Sequence, residues 1–294
     1  MVDCIVIGGG PAGVSAAIYA ASRGKKVLLI EQNAIGGTVG KVSSVTHYSG
    51  IIANETGESF AQRLKEQVTN AGVEIRYETV KSVSLAGDVK KVTTCCGEYE
   101  SRSIILANGT TSRKLGIPGE ELACANATKD APSCKGKHVY VVGGADGAVK
   151  EAIYLSSFAE KLTIIHFEEK LGCIQQFKDI IEEKDNMELM LESRLHAILG
   201  KDEIEALKIE NVKTKEIKRV DDPGCRVFIY AGSVPNTKLY GELTLKEGFI
   251  PVNENMETGI PGVFAAGDIR VKTVRQVATA VSDGAIAGIK AAAY

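Results

Sequence analysis

The chain has 294 residues, 44% of them hydrophobic and 24% charged, with a formal net charge of -2. That length allows two domains with buried cores, and the near-neutral charge excludes the basic footprint of a nucleic-acid or anionic-membrane partner. No apolar run reaches the length of a membrane span. The seven cysteines, an odd number with no zinc-type pairs of pairs, point to a reducing cytoplasm, no metal site and at most one functional thiol pair.

The apolar start, MVDCIVIGGG, has no basic leader and no small-residue cleavage site, so it reads as a first strand and not as a signal peptide. A strand over residues 4–7 leads into Gly8-Gly9-Gly10-Pro11-Ala12-Gly13 and an Ala-rich helix. A second strand over 26–30 ends on Glu31, eighteen positions after Gly13. This is G-x-G-x-x-G between strand and helix, followed by an acidic residue. Gly8 makes the tight turn, Gly10 lets the backbone approach a pyrophosphate, and Gly13 packs helix on strand. The helix N-terminus supplies aligned amides, and Glu31 can bind ribose hydroxyls.

Cys95 and Cys96 fall in an expected hairpin, either as a vicinal disulfide or as two plain thiols. A second βαβ unit follows: a strand over 138–142, the turn Gly143-Gly144-Ala145-Asp146-Gly147-Ala148, a helix, and a strand over 162–166. Near the end, residues 258–268 form an apolar strand entering a Gly267-Asp268 turn, and Arg275-Gln276-Val277-Ala278 opens the final helix. Cys4, Cys173 and Cys225 read as structural.

These segments together resemble the thioredoxin reductase-like flavoproteins over nearly the whole chain. The resemblance implies an α/β fold with two Rossmann-like, three-layer nucleotide-binding domains, the second inserted in the first. The FAD-binding domain would comprise 1–112 and 241–294, and an NADPH-domain-like insert would span 113–240, with hinges near Arg113 and Leu239. It implies FAD held by Gly8, Gly10, Pro11, Ala12, Gly13 and Glu31, with Gly36, Gly37 and Thr38 beneath the flavin and Val80, Ala107 and Gly109 completing the site. Asp268, after Gly267, would bind the ribityl chain, and Arg275, Gln276 and Val277 would lie beside the isoalloxazine ring. His47 stands where the family has a residue near the flavin, and is either a hydrogen-bond partner of the ring or a plain turn histidine. A homodimer is implied by the resemblance alone.

Two departures bear on function. At the second fingerprint glycine of the inserted unit stands Ala145, whose methyl faces the expected phosphate position. After the next strand, where the family carries an arginine cluster for the 2′-phosphate of NADPH, the chain reads His166-Phe167-Glu168-Glu169-Lys170. Carboxylates there repel a phosphate, so NADPH is not expected to bind; an acidic residue leaves NADH as a weaker alternative. The family's C-x-x-C-Asp is replaced by Asn126-Ala127-Thr128-Lys129-Asp130. Cys124 and Cys134, with nine residues between them, flank this stretch. They are either a redox disulfide, with Asp130 as general acid toward the outgoing thiolate, or two unpaired thiols.

The expected function is a flavin-dependent disulfide reductase similar to the ferredoxin-dependent flavin thioredoxin reductases. Electrons would pass from reduced ferredoxin, or flavodoxin, through FAD to a Cys124–Cys134 disulfide and then to thioredoxin. Two alternatives stand beside it: an NAD(P)H-dependent thioredoxin or ferredoxin reductase, and a flavin electron carrier or sensor without disulfide chemistry.

Overall fold

A computed structural model describes residues 1–294. In chain order the first stretch contains β1 (Val2–Ile7), α1 (Pro11–Ala21), β2 (Val27–Glu31), α2 (Gly57–Asn70), β3 (Glu74–Tyr77), β4 (Val80–Ser84), β5 (Lys90–Thr94), β6 (Glu98–Leu106) and β7 (Thr110–Ser112). The middle stretch contains α3 (Ala127–Asp130), β8 (His138–Val142), α4 (Asp146–Ser156), β9 (Lys161–Ile165), α5 (Gln175–Glu182) and β10 (Met187–Met190). It continues through β11 (Ser193–Gly200), β12 (Ile204–Asn211), β13 (Ile217–Asp221), β14 (Arg226–Ile229) and β15 (Ser233–Pro235). The last stretch adds β16 (Val263–Ala265) and α6 (Val277–Ala293). The chain forms two compact units, Met1–Thr111 with Val234–Tyr294, and Ser112–Ser233. No helix is long and apolar enough to cross a membrane.

In the first unit the strand order is β3-β2-β1-β6-β5-β4, and β16 pairs with β6. Strands β1, β2, β3, β6 and β16 run parallel, whereas β4 and β5 add antiparallel pairs. Side chains alternate across the sheet. Cys4, Val6, Leu29 and Ile105 enter the core formed with α1, α2 and α6, while Ile5, Ile7, Leu28 and Ile104 enter a second core with Leu85, Val92 and Tyr240. Both faces are covered, which gives three layers, and each fully buried branched side chain contributes about 1.5–3 kcal/mol.

Local sequence explains the helices of this unit. Gly10 caps α1 with Pro11 at its first turn, where the missing amide costs nothing. Thr56 and Ser59 form a capping box on α2. Helix α6 is rich in Ala and Gly because it lies close against α1. A Cβ on Gly284 would stand 2.1 Å from the Ala12 carbonyl oxygen, and one on Gly288 2.3 Å from that of Ala16.

The second unit has a parallel sheet in the order β10-β9-β8-β14 and an antiparallel meander β11-β12-β13. Val139, Val141, Leu162 and Ile164 pack toward α4 and α5 with Phe177 and Ile181; Tyr140, Val142 and Ile165 pack toward Leu195, Ile198 and Leu207 of the meander. The return to the first unit falls at Ser233–Val234, earlier than the expected 240–241. Residues 234–240 already belong to the first unit because the Asn236 amide donates to the Gly109 carbonyl (3.0 Å). The Tyr240 hydroxyl likewise donates to Asn108 Oδ1 (2.6 Å), and Thr237 Oγ1 to the Gly248 carbonyl (2.9 Å).

Candidate functional site

The first unit holds a cradle at the C-terminal ends of β1, β2 and β6. The Gly8 amide donates to the Ile30 carbonyl at 2.8 Å, and the Ala107 amide to that of Ile7 at 2.8 Å, tying the three strand ends together. A Cβ on Gly13 would lie 1.8 Å from the Gly8 carbonyl oxygen, so no larger residue fits where α1 turns over β1. A Cβ on Gly10, by contrast, would meet no protein atom within 4 Å. That open face lies at the N-terminus of an eleven-residue helix, whose unsatisfied amides and dipole favour an anion.

Glu31 stands at the end of β2 with its carboxylate turned onto this loop. Oε2 accepts from the Gly9 amide (2.7 Å) and Oε1 from that of Asn33 (2.9 Å). Each oxygen keeps a further lone pair, so a locked carboxylate is presented where ribose hydroxyls would lie. The Gly36 amide donates to the Gly9 carbonyl at 2.8 Å, setting Gly36 and Gly37 against the loop, with Thr38 exposed just beyond. The Glu78 amide donates to the Glu31 carbonyl at 2.9 Å, which brings the chain entering β4 at Val80 alongside β2. His47 is exposed, with a left-handed backbone (φ 59°).

The Gly267-Asp268 turn reaches the same cradle, since a Cβ on Gly267 would come within 2.8 Å of Ala12 Cβ. Asp268 Oδ1 is buried and has no hydrogen-bond donor, and Arg275 Nε is buried without an acceptor while its guanidinium lies 4.3 Å from the Phe249 ring centre. Burial pushes the Asp268 carboxyl up, against the pull of Lys272 and Arg275. A buried carboxylate oxygen without a protein partner is costly, and a ligand hydroxyl supplies the missing donor. The open helix terminus, the locked Glu31 and the orphaned Asp268 together fit FAD. Gln276 and Val277 follow at the cap and first position of α6.

Sequence reasoning missed what holds the turn. Asp283, buried in α6, accepts from Arg270 Nε (2.8 Å) and Nη2 (2.7 Å), from Lys272 Nζ (2.8 Å) and from the Gly267 amide (3.1 Å). A lone acidic residue in an otherwise Ala- and Gly-rich helix was the available signal. The Asn108–Asn236–Tyr240 network was missed too. Asn108 and Asn236 exchange side-chain-to-backbone bonds of 2.8 and 2.7 Å, which fix the loop through Ala107 and Gly109.

The second unit repeats the strand–turn–helix with different chemistry. Ala145 caps α4 with its methyl exposed on the turn, and Asp146 is occupied in accepting the Ile174 amide at 2.9 Å. His166 lies buried against Gly144, its Nε2 paired with Glu168 (3.1 Å) and its Nδ1 without a partner. Phe167, Glu168, Glu169 and Lys170 are exposed, and the Arg194 guanidinium stacks 5.3 Å over the Phe167 ring.

Cys124 and Cys134 meet in one apolar cluster of this unit, both as free thiols. Cys124 is half-buried; its amide donates to the Val227 carbonyl (2.8 Å), and it lines a cleft of about 440 Å³ with Arg113, Lys114, Glu120, Glu121 and Tyr230. Cys134 is fully buried, its Sγ 3.7 Å from the Asp130 carbonyl oxygen. Asp130 Oδ2 accepts the amides of Ala125 (3.0 Å) and Asn126 (2.9 Å), so its carboxylate fastens the segment between the two cysteines. Burial, reinforced by Asp130 and Cys134, pushes the Cys124 thiol up to about 11; burial likewise pushes Cys134 up. Cys4, Cys173 and Cys225 are buried, whereas Cys95 and Cys96 are exposed.

Residues 2–284 match the family model of the pyridine nucleotide-disulphide oxidoreductases. The chain is 36% identical to a thioredoxin reductase of Peptoclostridium acidaminophilum, over 99% of this chain and 96% of the relative. Its structure is similar to the Lactococcus lactis thioredoxin reductase (34% identity, TM-score 0.95, 99% and 98% of the two chains). It is also similar to a ferredoxin-flavin thioredoxin reductase from Clostridium acetobutylicum (32% identity, TM-score 0.56, 100% and 96%).

Proposed function

The chain belongs to the pyridine nucleotide-disulphide oxidoreductase family, as an FAD-dependent disulfide oxidoreductase of the thioredoxin reductase type, and from that premise we propose that it reduces thioredoxin with electrons supplied by a ferredoxin or flavodoxin. The observation that carries the choice of donor is the altered second cradle. The Ala145 methyl stands at the helix terminus where a pyrophosphate would press, and Phe167, Glu168 and Glu169 are exposed where cations would clamp a 2′-phosphate. Glu168 is further held toward His166 at 3.1 Å.

When bound, FAD would supply two-electron redox chemistry that is compatible with a one-electron protein donor. The Gly8–Gly13 turn, Glu31 and Asp268 would hold it, and Asp283 keeps the Gly267-Asp268 turn in place. In the second unit the thiols divide the work by exposure. Cys124, at the cleft, attacks the disulfide of thioredoxin; one S–S bond forms, one breaks, and a thioredoxin thiolate leaves. Cys134, buried behind it, then attacks the Cys124 sulfur, closing the Cys124–Cys134 disulfide and releasing the second thioredoxin thiolate. Asp130 positions both cysteines by fastening the segment between them.

A second reading keeps a nicotinamide nucleotide as donor. It is favoured by the buried, unpartnered Nδ1 of His166 beside the turn at Gly144, and by the relatives named thioredoxin reductase. The test is anaerobic: NADPH, NADH and reduced ferredoxin are added separately to the oxidised protein, and flavin absorbance is followed. The proposal expects rapid bleaching by ferredoxin alone. Bleaching within seconds by either nucleotide overturns the donor assignment and leaves the disulfide chemistry standing.

A further inference from the structure

A second pair of thiols stands on the surface of the first unit. Cys95 and Cys96 occupy the turn between β5 and β6, both exposed, with their sulfurs 3.1 Å apart. The turn is firmly held. The Thr94 amide donates to the Gly97 carbonyl (2.8 Å), Thr94 Oγ1 accepts the amides of Cys96 and Gly97 (3.1 Å each), and the Cys95 amide donates to the Thr79 carbonyl (2.9 Å). Thr94 Oγ1 itself donates to Glu78 at 2.6 Å.

We propose that Cys95 and Cys96 form a binding site for a trivalent, thiophilic metalloid of the arsenite class, held as a two-sulfur chelate on this turn.

Three features select that ligand class. The first is geometric. A disulfide between neighbouring residues must close across Cα atoms about 3.8 Å apart, short of the ~4.4–6.8 Å of ordinary disulfides. A bridging atom needs no such contraction, since the sulfurs already face each other across a bite of 3.1 Å. The second is ligand count. No group of three His, Cys, Asp or Glu is placed so that it could hold a metal ion, so a four-coordinate zinc finds no complete set of ligands here. A monosubstituted trivalent arsenic needs only two sulfurs. The third is nucleophilicity. The neighbouring Cys96 thiol, with the Thr79 backbone, holds the Cys95 thiol below its ordinary value, while Cys95 pushes that of Cys96 up, which makes Cys95 the readier entering sulfur.

With phenylarsine oxide the step balances without oxidant or reductant. Two As–S bonds form, the arsenic–oxygen bond is lost, and the two thiol protons leave with that oxygen as water.

The experiment uses the FAD-loaded full chain, reduced and freed of reductant, with phenylarsine oxide as probe. Trypsin cleaves after Lys91 and Arg102, so one peptide, residues 92–102, carries Cys95 and Cys96 and no other cysteine. The proposal expects a single phenylarsenic group bridging both sulfurs of that peptide. Cys95→Ser and Cys96→Ser should each hold the probe against a competing monothiol about 100-fold more weakly, because the second sulfur acts as an intramolecular ligand. An adduct found only on other peptides overturns the site; so does wild-type retention in either single variant. Mapping the unmodified chain keeps the test valid even where a variant folds poorly.

Discussion

Asp283 and Arg270 form a two-pronged pair, Nε to Oδ2 at 2.8 Å and Nη2 to Oδ1 at 2.7 Å, with the carboxylate almost wholly buried. The same carboxylate holds the Gly267 amide and Lys272. A side chain in the last helix thereby sets the turn that presents Asp268.

Removing that carboxylate leaves two cations facing each other in a buried place. Asp283→Ala should cost about 3–5 kcal/mol of stability, read by urea denaturation. Asp283→Asn, which keeps one acceptor, should cost less while still weakening FAD retention, read by flavin fluorescence on dilution.

The pair also has a pH signature. Burial alone raises the Asp283 carboxyl, but Arg270 and Lys272 outweigh it and hold it below its ordinary value. A carboxyl depressed in the fold stabilises fully above its unfolded value, about 3.9, and loses that contribution as pH falls through the lower folded value. Acid unfolding of Asp283→Asn should therefore be less steep with pH than that of the wild type.

Cys124 and Cys134 should fail differently. Cys124→Ser removes the thiol at the cleft and should abolish thioredoxin reduction with no mixed disulfide formed. Cys134→Ala leaves Cys124 to attack but nothing to resolve it, so a trapped covalent complex with thioredoxin should appear on a non-reducing gel. Its core is disturbed by only one small group, at a cost of about 1 kcal/mol.

Alkylation of Cys124 by iodoacetamide should be slow at neutral pH and rise about tenfold per pH unit between 8 and 10, because only the thiolate reacts and burial has pushed the thiol to about 11. Asp130→Asn removes a charge that raises the thiol but keeps an acceptor for the amides of Ala125 and Asn126. It should speed alkylation at a given pH. An unchanged rate would separate Asp130 from Cys124 electrostatically.

Restoring the second cradle tests the donor assignment from the other side. Ala145→Gly combined with Phe167→Arg and Glu168→Arg supplies an open turn and two phosphate-binding cations. Flavin bleaching by NADPH should accelerate by about tenfold or more over the wild type, measured in an anaerobic stopped-flow instrument.

The two Rossmann-like units and the FAD cradle were legible in the sequence because their determinants are local. Gly8, Gly10 and Gly13 carry their meaning in a six-residue window, Glu31 ends a short apolar strand, and Asp268 follows another by three residues. The fastening of those pieces was not legible. Asp283 lies fifteen residues after Asp268, Glu78 meets Glu31, and Tyr240 meets Asn108 across 132 residues of chain. Such contacts depend on which strands are neighbours.

By itself, then, the sequence determined the fold class, the cofactor and the departures at Ala145 and Phe167-Glu168, since each is written in a motif read along a strand, a turn and a helix. Only the tertiary structure decided that Cys134 is sealed in a core while Cys124 opens on a cleft, that Asp130 is engaged with backbone amides, and that the sulfurs of Cys95 and Cys96 face each other in solvent. Spacing along a chain fixes which residues can meet; exposure, orphaned polar atoms and thiol acidity arise from what distant segments bring around them.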